Sequence, residues 1–425
     1  MTIFAPITGR GGAVTVIRLS GPDALSITAG LCSLPPPRRA ALRALRDGRK
    51  NVLDHALVTI FPGPHSFTGE DCVELGLHGG RAVLAALTHE LLGLGARPAE
   101  PGEFSRRAFL NNRLDLLQAE ATADLIAAET EGQRRLALAG ADAMHTACTA
   151  WRETLRHIMA KQEALIDFPD EDLPPEVEET LRAEILHLHG EMTATLRAAP
   201  AAERLRDGLE FVILGPPNAG KSTLLNALAG ADIAIVSDTP GTTRDAIGAK
   251  LDLGGVPVHL TDTAGLRDTL DPIETEGIRR THARAARADL IIATAAAPAP
   301  EFPPTPANIE TLHVITKADL FTTTPLGFLS VSAQTGHNLP QLRAALIAIA
   351  QRLTDTRGIP ALARPRQIAC IRDTAAALEQ AAGNAEPELR GEDLRAAANA
   401  LARLMGTIGV EEILDAVFSG FCIGK

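Results

Sequence analysis

The chain has 425 residues, which is too many for one hydrophobic core, so we expect two or three domains. Its apolar share of 45% and charged share of 22% are ordinary for a folded soluble protein. The net charge of −11 argues against a generic nucleic-acid binder, so RNA contact would need a local basic patch or a partner protein. With 3% aromatic residues and no tyrosine, a platform for stacking bases is disfavoured.

The sequence carries no sign of a membrane span or a secretion signal. No apolar run reaches the roughly 18 residues that a spanning helix needs. The N-terminus lacks a basic segment leading into an apolar stretch. The cysteines, at positions 32, 72, 148, 370 and 422, match neither a disulfide framework nor a zinc-binding spacing. We therefore expect a cytoplasmic protein.

Residues 1–112 predict a small α+β domain. The segments AVTVIRLSG, HALVTIFPG and CVELGLHGG are apolar runs that end at Gly or Pro, which is typical of strands. RAVLAALTHELLGLGA places its apolar residues on one face of a helix.

Residues 113–205 predict a helical region. Apolar residues recur at spacings of three and four from Leu114 to Ile166. An acidic, proline-containing segment beginning at Asp167 interrupts this pattern, and a second helix follows it.

Residues 206–353 alternate between strand and helix patterns, which predicts a mostly parallel sheet with crossover helices. The strand candidates are LEFVILG, GAKLDL, VPVHLTD, DLIIATA, TLHVITK and GFLSVSA. Residues 354–425 begin with a linker at 354–366 and then return to helices. The expected fold class is therefore multidomain α/β, with an α/β domain inserted into one helical domain.

The segment from Gly215 to Ser222, GPPNAGKS, matches the phosphate-loop pattern and lies between a predicted strand and a predicted helix. Its glycines allow backbone N–H groups to surround a β-phosphate, and the helix N-terminus adds partial positive charge. We expect Lys221 to reach the β- and γ-phosphate oxygens and Ser222 to bind Mg²⁺. The alternative, a simple Gly-rich turn, is much less compatible with this context.

Four further motifs follow in the order that a GTPase needs: DTPGTTR, DTAG, TKAD and SAQ. We expect the first to supply a threonine for Mg²⁺ and the γ-phosphate. Asp262 would contact Mg²⁺ through water, the Gly265 amide would meet the γ-phosphate, and the Asp319 carboxylate would accept both guanine N–H groups. Each motif is weak alone, but together they indicate GTP rather than ATP. The predicted GTP-binding residues are Asn218, Ala219, Gly220, Lys221, Ser222, Thr223, Ser237, Asp238, Thr239, Pro240, Gly241, Thr242, Thr243, Asp262, Thr263, Ala264, Gly265, Thr316, Lys317, Asp319, Ser332, Ala333 and Gln334.

Two features depart from the usual pattern of such domains. Thr316 stands where Asn is more usual, which weakens one contact to the base but leaves Asp319. The segment AAPAPEFPPTPAN holds five prolines between the fourth and fifth predicted strands. We expect the crossover helix at that place to be shortened or lost.

The group that activates water is not the one found in Ras-like GTPases. Leu266 follows DTAG at the position of their catalytic Gln, and it cannot orient water, so a charged residue further along must act. Asn218 has two possible roles. Its carbonyl oxygen could help to hold a monovalent cation against the phosphates, or its side chain could only stabilise the turn.

The sequence resembles the MnmE/TrmE family of bacterial tRNA modification GTPases over nearly its whole length. The resemblance rests on GRGGAVTVIRLSG, FPGPHSFTGEDCVELGLHGG, RPAEPGEFSRRAFLNNRLDLLQAEATADLI, IDFPDED, GPPNAGKSTLLNALAG, DTPGTTRD, DTAGLRD and the terminal FCIGK.

This resemblance implies a dimerising N-terminal domain that binds a tetrahydrofolate derivative. Arg18, Glu74 and Lys425 match the family positions that contact the folate. Arg113 stands where relatives often have Lys and keeps the charge with a different geometry. Without the resemblance, Arg18 and Glu74 would be interpreted as an ordinary surface ion pair.

For the inserted domain, the resemblance implies that K⁺ activates GTP hydrolysis. The matching K⁺ ligands are Asn218, Ser237, Thr239 and Thr242. Mg²⁺ would be held by Ser222 and Thr243, and Glu274 matches an acid that orients water indirectly. Lys221, Gly265 and Glu274 form the implied catalytic set.

The family resemblance also implies partners. It implies a homodimer whose G domains pair during hydrolysis, an FAD-containing partner subunit, and tRNA modified at C5 of the wobble uridine with a carboxymethylaminomethyl-type group. Two other hypotheses remain open. One is a ribosome-assembly GTPase, which would need a basic RNA-binding module that is not visible in the sequence. The other is a non-enzymatic, folate-binding dimer scaffold whose G domain only switches.

Overall fold

The structure is a computed structural model. It describes residues 1–9, 11–167, 175–231, 248–262, 286–298, 300–321, 327–356, 358–360, 362–407, 414, 417, 418, 421 and 424. The chain divides into two compact units, one of Met1–Ala123 with Asn399–Lys425 and one of Asp124–Ala398. Within the described ranges, no helix is both long and apolar enough to cross a membrane.

The first unit contains a six-stranded sheet in the order β3-β4-β5-β2-β1-β6. All its neighbouring strands are antiparallel except β1 and β6. Its strands are β1 (Ile3–Pro6), β2 (Val14–Ser20), β3 (Ala41–Arg46), β4 (Val52–Phe61), β5 (Cys72–His78) and β6 (Arg97–Pro98). Helices α1 (Ala24–Leu31) and α2 (Arg81–Gly93) share a buried core with this sheet. This confirms the predicted α+β organisation, because alternating apolar residues of the strands meet the apolar faces of these helices.

Two further helices begin in this unit, α3 (Glu103–Leu110) and α4 (Leu116–Ala127). The start of α4 packs against residues near the C-terminus of the chain, in a cluster that includes Leu116, Phe418 and Phe421. Gly102 has a φ of +70°, and a Cβ atom there would lie 2.4 Å from the carbonyl oxygen of Phe418. The position therefore requires glycine both for its backbone conformation and for its close packing.

The helical pattern from Leu114 to Ile166 is divided into α4 and a long helix α5 (Glu131–Asp167). The break coincides with a capping arrangement at Thr130. The Gln133 N–H faces the Thr130 hydroxyl at 3.4 Å, and the Gln133 side-chain oxygen accepts from the Thr130 N–H at 3.2 Å. These reciprocal contacts satisfy donors that the first turn of a helix leaves free.

Besides α5, three helices of the second unit lie before or after the inserted sheet in the sequence. They are α6 (Pro175–Asp207), α9 (Pro365–Gly383) and α10 (Pro387–Met405), whose last residues extend into the first unit. The buried Arg390 donates to Gln162 Oε1 at 2.6 Å and to Glu178 Oε1 at 3.0 Å. This charged side chain joins α5, α6 and α10, and its partners compensate for the loss of hydration.

A second six-stranded sheet has the order β12-β11-β10-β7-β9-β8, and only β8 runs antiparallel to its neighbour. Its strands are β7 (Leu209–Leu214), β8 (Gly248–Leu253), β9 (Val256–Asp262), β10 (Leu290–Ala296), β11 (Thr311–Thr316) and β12 (Leu329–Ser330). Helices α7 (Lys221–Ala231) and α8 (Leu339–Leu353) share a core with this sheet. All six predicted strands are confirmed, and the sheet is mostly parallel as expected.

The proline-rich connection between β10 and β11 contains no helix among its described residues, 297, 298 and 300–310. Phe302 and Ile309 pack instead against a cluster that includes Val212 and Ile291. The Phe302 ring also meets the His313 ring edge-on, with 4.8 Å between the centroids. Over the described residues this agrees with the expectation that the crossover helix is shortened or lost, and Phe302 and Ile309 pack against the sheet instead.

Candidate functional site

The phosphate-loop motif lies at the carboxyl edge of the parallel sheet, between the end of β7 and the start of α7. Asn218 and Gly220 have φ values of +61° and +79°, and asparagine and glycine are the residues that adopt this left-handed conformation most readily. Gly215 lies against β10, where a Cβ atom would be 2.2 Å from Thr294 Oγ1. The sequence therefore forms this loop through two left-handed positions and one position of close packing.

Lys221 begins α7, and its side chain is directed back over the loop. Its Nζ donates to the carbonyl oxygens of Gly215 at 3.0 Å and Pro216 at 2.9 Å, and the residue is buried. A buried ammonium group at a helix N-terminus creates a strongly positive environment. This arrangement can bind the phosphate groups of a nucleotide.

Ser222 of α7 and Asp262 of β9 come together at the edge of the sheet. The Ser222 hydroxyl donates to Asp262 Oδ2 at 2.5 Å, and Asp262 is the buried last residue of β9. Hydroxyl and carboxylate oxygens are hard ligands of the kind that Mg²⁺ prefers beside a phosphate. This donor set therefore fits the predicted magnesium site.

The two predicted base-contacting segments also lie together. The Ala318 N–H donates to the Val331 carbonyl at 3.1 Å, which joins the TKAD loop to the SAQ loop. Lys317 has a left-handed backbone with φ +59°, and the Asp319 side chain is exposed. The SAQ turn is closed by the Ser332 hydroxyl, which accepts from the Thr335 N–H at 3.2 Å.

Thr316 contacts the phosphate loop, which the sequence did not predict. Its hydroxyl donates to the Ala219 carbonyl oxygen at 2.5 Å and lies 3.2 Å from the Ala295 carbonyl oxygen. The residue that departs from the usual base-reading motif therefore links the phosphate loop to the loop that carries Asp319.

In the first unit, Arg18 and Glu74 face each other across β2 and β5. Arg18 donates to Glu74 Oε1 from Nη2 at 2.8 Å and from Nε at 3.1 Å. The Arg18 guanidinium carbon lies 4.8 Å from the centre of the Phe67 ring, a distance typical of a cation–π contact. Phe67 and Gly69 belong to the loop between β4 and β5. The exposed Arg113 lies beside this loop, since a Cβ atom on Gly69 would be 3.1 Å from Arg113 Cγ. The structure thus groups three of the four predicted folate residues around the loop between β4 and β5.

The sequence did not predict a charged network that also reaches the loop between β4 and β5. Glu103 accepts from Arg97 at 2.5 Å and from Arg107 at 3.0 Å, and Arg107 also donates to Glu70 at 2.9 Å. Burial tends to raise the pKa of Glu103, but hydrogen bonds from Arg97, the Glu100 N–H and Arg107 outweigh it and lower that pKa overall. The only sequence signal was the mixture of acids and arginines in PGEFSRR, which does not specify these partners.

Several predicted site residues lie outside the described ranges, so their roles stay predictions. They are Ser237, Asp238, Thr239, Pro240, Gly241, Thr242, Thr243, Thr263, Ala264, Gly265, Glu274 and Lys425.

The parallel sheet, the phosphate loop and the joined base loops define the class: this is a GTP-binding protein with a P-loop G domain. Two family models match the chain, one described as the GTP-binding protein TrmE N-terminus over residues 2–113 and one as the MnmE helical domain over residues 116–422. The chain belongs to the MnmE/TrmE family of tRNA modification GTPases, and it is a GTPase.

Curated relatives match the chain over its full length. A tRNA modification GTPase MnmE of Acidiphilium cryptum (strain JF-5) is 60% identical, covering 100% of this chain and 98% of the relative. One of Granulibacter bethesdensis (strain ATCC BAA-1260 / CGDNIH1) is 50% identical, covering 100% of this chain and 99% of the relative. Among solved structures, that of an Aquifex aeolicus Era variant bound to GDP.AlF4- is 24% identical, covering 40% of this chain and 66% of that one. The TM-score of this match is 0.27.

Proposed function

We propose that the chain hydrolyses GTP in a K⁺-stimulated reaction that is coupled to the pairing of two G domains. This hydrolysis would drive carboxymethylaminomethyl-type modification at C5 of the wobble uridine of certain tRNAs, together with an FAD-containing partner subunit. The observation that carries the proposal is the meeting of Lys221, Ser222 and Asp262 at one edge of the parallel sheet. Family membership favours this proposal over a ribosome-assembly GTPase and over a non-enzymatic scaffold.

In the proposed reaction, water attacks the γ-phosphorus of GTP. The bond between that phosphorus and the β–γ bridging oxygen breaks, giving GDP and inorganic phosphate. The Lys221 ammonium would offset negative charge on the β- and γ-phosphate oxygens, and the Gly265 amide would donate to the γ-phosphate. We assign Glu274 to orienting the water. Bound Mg²⁺ would neutralise charge on the phosphates. Ser222 and Thr243 would hold it, and Asp262 would contact it through water.

The K⁺ proposal starts from Asn218. This residue is exposed, has a left-handed backbone and lies three residues before Lys221. An amide carbonyl oxygen is a suitable ligand for an alkali cation, and a cation there would supply the charge that an arginine finger supplies elsewhere. We propose Ser237, Thr239 and Thr242 as the other ligands.

The test of this mechanism compares GTP hydrolysis in KCl and NaCl at equal ionic strength. We expect the wild-type chain to be about tenfold faster or more in KCl, because the cation stabilises transition-state charge. Asn218→Ala should abolish the preference for KCl, and Glu274→Ala should slow hydrolysis in KCl while GDP binding is retained. Equal wild-type rates in the two salts would contradict the role of K⁺.

The paired arrangement has its own test. We propose a homodimer whose G domains approach only when GTP and K⁺ are bound. Sedimentation measures whether the chains form a dimer, and fluorescence transfer between labelled G domains measures their approach. With GDP and aluminium fluoride, which together mimic bound GTP during hydrolysis, we expect increased transfer in KCl. The same mixture in NaCl is the control, and equal transfer in both salts would contradict the proposal.

We also propose that a tetrahydrofolate derivative binds at Arg18, Glu74, Arg113 and Lys425. The Glu74 carboxylate can accept from the amino and N–H groups of a pterin, and the exposed Arg113 can pair with a carboxylate of the ligand. Calorimetry with 5-formyltetrahydrofolate tests this. Glu74→Gln should weaken binding about tenfold, since a charge-assisted hydrogen bond is lost. Glu153→Gln, on the exposed face of α5, is the matched control. Equal affinity in all three proteins would contradict the assignment.

The cellular role is proposed from the family and the charge of the chain. With a net charge of −11, much of the tRNA contact would fall to the partner subunit, and we propose a cytoplasmic location. We retain the proposed domain bounds of 1–112, 113–205, 206–353 and 354–425. Nucleoside analysis of tRNA from a deletion strain should show loss of the modified wobble uridine, which the wild-type gene but not Lys221→Ala restores.

A further inference from the structure

Thr316 is buried, and its hydroxyl is in contact with the phosphate loop. It donates to the Ala219 carbonyl oxygen at 2.5 Å, the shorter of its two contacts with carbonyl oxygens. A threonine hydroxyl has one proton, whereas an asparagine amide has two N–H donors. Thr316 can therefore donate its hydroxyl proton to the Ala219 carbonyl oxygen, but it has no second proton to donate to the base.

The contacted carbonyl lies at the centre of the phosphate loop. Ala219 is buried between Asn218 and Gly220, the two residues with left-handed backbones. In a planar trans peptide, the carbonyl of one residue and the N–H of the next point in opposite directions. By holding the Ala219 carbonyl towards the end of β11, the Thr316 hydroxyl directs the Gly220 N–H away from β11.

From this contact we infer that Thr316 is a positioning residue that orients the Gly220 N–H for phosphate binding. We further infer that it donates no hydrogen bond to guanine N7, which is an acceptor on the base. This inference rests on the proposed binding of GTP at this loop. Its consequence is a division of roles, in which Asp319 reads the N–H edge of guanine and Thr316 acts on the phosphates.

The test measures the affinities of full-length Thr316 variants for GDP and 7-deaza-GDP, in which a C–H group replaces N7. Thr316→Val removes the hydroxyl at nearly constant shape and should weaken both nucleotides equally, by about tenfold, because the buried Ala219 carbonyl loses its partner. Thr316→Ser keeps a hydroxyl and should restore affinity to within about threefold of the wild type.

Thr316→Asn provides the complementary readout. Its second N–H can reach N7, so the preference for GDP over 7-deaza-GDP should rise about fivefold relative to the wild type. This comparison does not depend on Thr316→Val folding well.

Several outcomes would overturn the inference. Unchanged affinity in Thr316→Val would remove the positioning role. Two results would contradict the inference that Thr316 donates no hydrogen bond to guanine N7. One is a preference of Thr316→Asn for GDP over 7-deaza-GDP equal to that of the wild type. The other is a lower preference in Thr316→Val than in the wild type. If the wild-type chain bound no guanine nucleotide at all, the proposed function would fail as well, which distinguishes the two cases.

Discussion

The two sheets of this protein form their candidate sites in different ways. In the mostly parallel sheet, site residues follow the ends of strands, as Gly215 follows β7 and Asp262 ends β9. In the mostly antiparallel sheet, Arg18 and Glu74 come from within neighbouring strands and meet only through their register. Since parallel strands end at a common edge, motif order predicts the first site, whereas the second requires knowledge of strand pairing.

The two regions also differ in the forces that hold them. The phosphate loop depends on close backbone packing, in particular that of Gly215 against Thr294. The antiparallel region instead contains partly buried ion pairs, including those between Arg18 and Glu74 and between Arg107 and Glu103. We therefore expect substitutions that remove the phosphate-binding charge or add atoms to the loop to have the largest effects in the parallel sheet. In the antiparallel region, we expect stability to depend most on charge and pH.

The largest expected effect tests whether function is concentrated in the parallel sheet. Lys221→Ala should reduce the rate of GTP hydrolysis by about 10²–10³-fold, because it removes the positive charge beside the phosphates. Steady-state phosphate release measures this. The matched control is Lys161→Ala, which removes an exposed ion pair with Glu184 in the helices and should leave the rate unchanged. Comparable losses in both variants would show that the effect is general destabilisation.

The next effect tests the electrostatic character of the antiparallel region. Glu103→Gln should lower the free energy of unfolding of the first unit by about 3 kcal/mol at pH 7, since two arginines lose a partly buried partner. Hydrogen exchange of peptides from β1, β2 and α3, in the full-length chain, measures this loss.

The pH dependence of that loss has a definite sign. The folded state lowers the pKa of Glu103 below its ordinary value of 4.5, so its contribution is present above that value. It is lost as the pH falls through the folded-state pKa. The difference between wild type and Glu103→Gln should therefore shrink below about pH 4.5. A difference that stays constant down to pH 3 would contradict the electrostatic explanation.

The smallest effect tests the steric character of the phosphate loop. Gly215→Ala should lower the free energy of unfolding of the second unit by about 2 kcal/mol, because its Cβ atom would overlap with Thr294. Hydrogen exchange of β7 and β10 measures the loss. Gly230→Ala in α7 is the control, since no atom lies within 4 Å of its Cβ position, and it should stabilise the helix by about 0.5 kcal/mol. Equal effects of the two substitutions would rule out the proposed overlap.

Some features of the site could not be predicted from sequence. The contact between Thr316 and the Ala219 carbonyl depends on β11 lying beside the phosphate loop. The network around Glu103 and Arg107 of α3 depends on Arg97 of β6 and Glu70 of the loop between β4 and β5 approaching that helix. Such contacts arise from the packing of elements, and the sequence pattern that reveals a strand or a helix contains no information about its neighbours.

The sequence by itself determined the six strands of the inserted domain, the phosphate loop and the family of this protein. Apolar periodicity, glycines and prolines act over short distances along the chain, so they can be interpreted without coordinates. Only the tertiary structure decided what Thr316 does. Its hydroxyl and the Ala219 carbonyl lie 97 positions apart in the sequence, and only the folded sheet brings this donor and acceptor within hydrogen-bonding distance.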